Sequence, residues 1–142
     1  MIKISMKYND NVVPVKVIRR YSNENVLYKA MEQVSGLNTI ITKSKLDCIK
    51  KFLNAKIQCD RKEIKDHENS ISCIISMPDD INVKLEHVTE IRNIIYCLKR
   101  EIENTKSCLK FCDFLEGMMG LISSYDNYIF AEEVGEFDDR QF

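Results

Sequence analysis

Between Ser107 and Ile129 the apolar residues of SCLKFCDFLEGMMGLISSYDNYI fall at helical spacing on both sides of a pair of glycines. Cys108, Phe111, Cys112 and Leu115 form one stripe at steps of three and four; Met118, Leu121, Ile122, Tyr125 and Ile129 form a second. Glycine costs about 1 kcal/mol against alanine inside a helix, so Gly117 and Gly120, three residues apart, predict an elbow rather than one rod. Two helices packed as a hairpin would then close the core of the chain.

The residues ahead of this stretch alternate between strand and helix patterns. Ile2, Ile4, Met6 and Tyr8 alternate with Lys3, Ser5 and Lys7, and Val13, Val15 and Val17 continue the period of two beyond Asn9-Asp10-Asn11. Pro14 cannot donate to a ladder, which assigns part of this hairpin to a sheet edge. A helix follows, capped by Ser22 or Asn23, buried through Val26, Leu27, Ala30, Met31 and Val34, and ended by Gly36. Asn38–Thr42 reads as a short strand, and Ser44 with Asp47 as the capping box of a helix bearing Leu46, Ile49, Phe52, Leu53 and Ile57. Cys59–Asn69 holds one aliphatic residue among alternating charges and reads as a solvated loop or an exposed helix end, the best site in the chain for an insertion. Ser70–Met77 has the composition of a buried strand, and Ile81, Val83 and Leu85 alternate as another beyond Pro78. From Val88 to Ile102 apolar residues recur at helical spacing for about four turns, and Asn104-Thr105 offers a cap for the closing hairpin.

With 142 residues, 44% hydrophobic and 30% charged, the chain fits one domain over residues 1–130, followed by an acidic tail over 131–142. That tail carries five acids and one base, so the net charge of -1 leaves only a slight, scattered basic excess elsewhere. A nucleic-acid partner normally needs Lys and Arg concentrated on one face, so none is expected. The Lys-interrupted N-terminus lacks the apolar run of a signal peptide and no stretch has membrane-spanning length, which predicts an intracellular protein, cytoplasmic or nuclear, without a membrane partner. The six cysteines are then expected to be free, buried thiols rather than a disulfide framework.

No glycine-rich phosphate loop, nucleophile elbow or HExxH is present, and neither His67 nor His87 has a Ser or Cys at a recognisable catalytic spacing. Cys108 and Cys112 could present two thiolates on one helix face, with Cys97 or a histidine completing tetrahedral zinc. Their face otherwise carries Phe111 and Leu115 and there is no CxxC pair, which favours core packing; no metal, cofactor or catalytic residue is assigned. Asp113 and Phe114 differ from the other charged and aromatic residues, since they stand together beside the stripe and could be partly exposed, although packing into the core is the ordinary fate of a phenylalanine so placed.

Two alternating strands, a helix, further strand and helix material and a closing helical hairpin resemble the BTB/POZ superfamily, in particular its Skp and Elongin C branch. INVKLEHVTEIRNIIYCLK is similar to that family's strand and helix with paired aliphatics. Cys112, Asp113, Phe114, Leu115 and Glu116 match in order its small residue followed by an Asn- or Asp-aromatic-Leu-acid run. The chain departs from the pattern at Gly117, an inserted residue, and at Asp113, where the Skp branch often has Asn. The resemblance implies an α+β fold: a small sheet with an N-terminal β-hairpin packed against a cluster of helices and a closing helical hairpin. It also implies a non-enzymatic adaptor that engages a cullin-type ubiquitin ligase scaffold through Asp113 and Phe114. An F-box partner is not implied, since no counterpart of the terminal helices that hold one is evident. A small viral or parasite helical effector that sequesters host proteins through a hairpin groove is the alternative; it would have few strands, whereas a BTB core needs strands across Ile71–Leu85.

Overall fold

The computed structural model describes residues 1–34, 38–122 and 127–135. Strands β1 (Ile2–Tyr8) and β2 (Asn11–Ile18) pair antiparallel around Asn9 and Asp10, whose φ angles are 48° and 66°. Two consecutive left-handed residues make the turn whose twist suits a hairpin, and short polar side chains tolerate that conformation better than others do. Helix α1 (Asn25–Val34) follows; the Ser22 hydroxyl accepts from the Glu24 amide at 3.1 Å ahead of its first turn. Strand β3 (Thr39–Ile40) is a two-residue piece, as the β-prone Asn38–Thr42 run predicts.

Two long helices come next, α2 (Lys43–Ser76) and α3 (Ile81–Leu121), about 50 and 60 Å long at 1.5 Å per residue. The Thr42 hydroxyl caps α2 by accepting from the Lys45 amide at 3.2 Å, in place of the expected Ser44–Asp47 box. Asp80 caps α3. Strand β4 (Tyr128–Glu133) then returns to pair antiparallel with both β1 and β3, giving the sheet order β2-β1-β4-β3. Pro14 therefore does lie on an edge strand, next to a bulge where Ile4 faces Lys16 and Ser5 faces Pro14.

The protein is thus α+β, a four-stranded antiparallel sheet with three helices. One sheet face, carrying Ile2, Ile4, Ile18, Ile129 and Ala131, packs with Leu27 and Met31 of α1, Leu46, Ile49 and Leu53 of α2, and Cys108, Cys112 and Leu115 of α3. These residues make a head. Beyond it α2 and α3 continue together as an antiparallel arm whose seam holds Ile57, Ile64, Ile95, Leu98 and Ile102. Along α2 the seam positions Leu53, Ile57, Asp60 and Ile64 step by four, three and four, the spacing of a coiled-coil contact.

Several expectations are corrected by the long helices. Gly117 and Gly120 lie inside α3, so the chain has no elbow there and the described residues form no closing helical hairpin; Ile129, expected in the second helix, is buried in β4, and Tyr125 lies outside the described residues. Two glycines cost about 2 kcal/mol in total, whereas burying a large aliphatic such as Leu115 or Ile122 contributes roughly 2 kcal/mol each, so packing overrides the local preference. Ser70–Ser76 and Ile81–Leu85 are helical rather than extended, with Met77 as the cap that ends α2: Ile71 and Ile91 pack against the arm seam, and a neighbouring helix supplies the burial that strand pairing would otherwise have to. Cys59–Asn69 is neither loop nor helix end but the middle of α2, where a largely exposed surface needs only Asp60 and Ile64 to face the partner helix.

The division at residue 130 also shifts. Ala131–Glu133 belong to β4, and the Met1 ammonium donates to the Val134 carbonyl at 2.9 Å while the Val134 amide donates back to Met1 at 2.8 Å. The rest of the acidic tail, 136–142, and the expected stop at Gly36 lie outside the described residues. Of the six cysteines expected to be buried, Cys108 and Cys112 are, while Cys48, Cys59, Cys73 and Cys97 are exposed on the outer sides of the two long helices.

Candidate interaction surface

The head end of α3 has two faces of unlike character. Cys108, Cys112 and Leu115 point into the core, whereas Phe111, Phe114, Met118 and Leu121 recur at steps of three, four and three along an outward stripe. Phe114 is 54% exposed and Leu121 84% exposed, while Phe111 and Met118 are half-buried at the margin of the core. The rings of Phe111 and Phe114 stack with centroids 6.2 Å apart, and the Lys16 ammonium sits 4.9 Å over the Phe111 ring, held also by Glu24 at 2.9 Å. Phe111 is thereby fixed as a platform on which Phe114 leans.

Asp113 borders the stripe. One of its oxygens is 2.7 Å from the Lys50 ammonium of α2, which also pairs with Glu116. The hydrogen bond to Asp113, then that to Glu116, raises the Lys50 pKa well above the usual lysine value, so one fixed cation is shared by two acids. The Asp113 side chain remains 68% exposed, leaving an acidic edge beside the aromatic pair.

Both residues singled out in the sequence, Asp113 and Phe114, therefore lie side by side on the surface, and Phe114 escapes the core packing that is the ordinary fate of a phenylalanine beside the stripe. Sequence reasoning placed Phe111 in the buried stripe and Leu121 in a second helix. The steps Phe111, Phe114, Met118, Leu121 were available as a signal, but reading them as one face required α3 to continue through both glycines. Lys50, sixty-three residues before Asp113 in the chain, carries no local signal of its role.

The far end of the arm is a second apolar surface. Ile75, Met77, Ile81, Val83 and Leu85 are all exposed there, and Ile75, Ile81 and Leu85 line a cleft of about 380 Å³ between the last turn of α2 and the start of α3. A further depression, of about 180 Å³ where α1 meets α3, is polar, lined by Ser22, Asn23, Asn25, Asn104 and Thr105 among others. Its hydroxyls are committed to the backbone: Ser22 donates to the Arg19 carbonyl at 2.9 Å and Thr105 to the Glu101 carbonyl at 2.9 Å. Burial raises the Cys108 thiol to about 11 and the Cys112 thiol to about 12, which keeps both protonated and works against their serving as thiolate ligands. Among the described residues no group of three or more His, Cys, Asp and Glu side chains is arranged to hold a metal ion, and no helix is long and apolar enough to cross a membrane.

Compared with known proteins, the chain matches no family model, no curated protein and no solved structure.

Proposed function

We propose that this chain is a non-enzymatic protein-binding module whose head engages a protein partner through the Phe111, Phe114, Met118 and Leu121 stripe, with Asp113 as its polar margin. The observation that carries this reading is the exposure of Phe114 on a ring platform that is itself held in place. An exposed aromatic of restricted freedom, next to further apolar surface and edged by a carboxylate, has the composition of an interface anchor with a polar rim. A protein partner fits better than a nucleic acid because, of the cations near the stripe, Lys16 and Lys50 are already paired with Glu24, Asp113 and Glu116, and the exposed Lys110 alone is no concentrated basic face.

A cullin-type scaffold is the partner implied by the Skp and Elongin C resemblance, and Cys112–Glu116 is what supports it. The strands that a BTB core would need across Ile71–Leu85 are helix in this chain, and the long paired helices favour the second reading, an effector that sequesters host proteins. Both readings use the same stripe and differ in what occupies it.

Phe114→Ala tests the site. Its exposure predicts unchanged helix content and melting temperature, and an anchor of this kind typically contributes about 2 kcal/mol to binding, a loss of more than tenfold in affinity. Binding of wild-type and Phe114→Ala chains to a purified cullin N-terminal domain, and to whichever proteins the wild-type chain retains from host extract, is measured by interferometry. A folded Phe114→Ala chain that keeps wild-type affinity for every such partner removes the stripe from consideration.

A further inference from the structure

At the arm tip, Ile81, Leu85, Val88 and Arg92 follow one another at steps of four, three and four along one flank of α3, a run of about 16 Å. Ile81 and Leu85 are 69% and 58% exposed, Val88 forms the floor, and Ile75 of α2 closes the other side of the cleft. An acid, Asp79, lies at one end of this apolar run and a base, Arg92, at the other. Among the described residues neither has an ion-pair partner, whereas Lys84, between them, is committed to the Ile75 carbonyl at 3.1 Å.

The flank thus carries opposite charges at its two ends and the apolar Ile81, Leu85 and Val88 between, with the Lys84 ammonium drawn to the Ile75 carbonyl at its margin, and such a flank is complementary to itself when laid antiparallel. Laid antiparallel about a two-fold axis, two such flanks set Leu85 of each copy against Val88 of the other. Each Asp79 then falls near the other copy's Arg92. A parallel arrangement would oppose like charges at both ends, and it would also align the two α3 dipoles instead of opposing them. We infer that the arm tip is a homotypic docking surface, on which a second copy of this chain lies antiparallel along the Ile81–Arg92 flank and fills the cleft beside Ile75. The surface is separate from the Phe114 stripe, so a dimer formed here leaves both stripes free for a partner.

The test is sedimentation of the full chain up to about 1 mM, under reducing conditions because Cys73 and Cys97 are exposed on the same arm. The expected result is a monomer–dimer equilibrium that Leu85→Glu abolishes without loss of helical circular dichroism. Arg92→Asp should weaken the dimer at least tenfold, and the double variant Arg92→Asp with Asp79→Arg should restore it to within about threefold, since the pair is then reversed rather than broken. Phe114→Ala should dimerise as the wild type does, which separates failure of this inference from failure of the head surface. A chain that remains monomeric throughout, a dimer indifferent to Leu85→Glu, or tip variants that lose only a different protein partner would each overturn the inference.

Discussion

Asp60 is the charged side chain buried in the arm seam, 1% exposed between the layers of Ile57 and Ile64. One carboxylate oxygen accepts from the Lys56 ammonium at 2.8 Å, and the other has no hydrogen-bond partner. A carboxylate in that position is stable only because of Lys56, whose ammonium also reaches Glu101 at 3.4 Å. Removing one partner of a buried pair leaves an uncompensated charge, whereas replacing the charge itself with an aliphatic is neutral or stabilising. Lys56→Met should therefore cost about 2 kcal/mol, toward the low side because Lys56 is partly exposed, while Asp60→Leu should be neutral or add about 1–2 kcal/mol. Urea denaturation of the two variants decides the matter: a destabilised Asp60→Leu beside an unaffected Lys56→Met would mean that the carboxylate is held by something other than the lysine. Nothing in the charged run Cys59–Asn69 marks Asp60 as the acid that is buried; its place in the three-four stepping of the seam does, once α2 is known to run through it.

At the scale of the element, α3 tests the rule that paired glycines break helices. Both glycines face solvent within the helix, and a Cβ added at either would meet nothing within 4 Å. With room for a side chain and ordinary helical backbone, Gly117→Ala and Gly120→Ala should each stabilise the protein by about 0.5–1 kcal/mol, read as a rise in melting temperature. A fall at either position would mean that the chain bends there and that α3 ends sooner. The strand-like segments Ser70–Met77 and Ile81–Leu85 illustrate the opposite ambiguity. A short apolar run satisfies both periods, and its conformation is chosen by whatever lies opposite, which here is another helix rather than another strand.

For the whole molecule the consequence is an uneven distribution of stability. The head buries residues from the sheet and all three helices, while the arm has one narrow seam and solvent on every other side. Local opening follows the amount of burial, so amides of α2 beyond Ile64 and of α3 before Ile95 should exchange with deuterium faster than those around Leu53 and Cys112. Uniform protection along α2 and α3 would show that head and arm unfold together. The mobility expected of the arm belongs to the single chain, and the inferred dimer should slow exchange at the tip as concentration rises.

The elements legible in the sequence alone were those whose pattern answers to local physics. The β1–β2 hairpin has strict alternation and a turn of residues that accept positive φ, α1 has helical stepping beside a suitable cap, and the middle of α3 has helical stepping that runs on through Asn104-Thr105, expected as a cap. Asp113 and Phe114 were likewise identifiable as neighbours on one helix. Tertiary structure alone decided the rest, because those outcomes depend on partners distant in the chain. Leu115 and Ile122, buried in the head, carry α3 through two glycines, and Ile129 becomes a strand residue because β1 offers it an open ladder. Phe114 lies at the surface because Cys112 and Leu115, on the opposite side of the same turn, already occupy the core, an allocation between helix faces that no single stripe of residues contains.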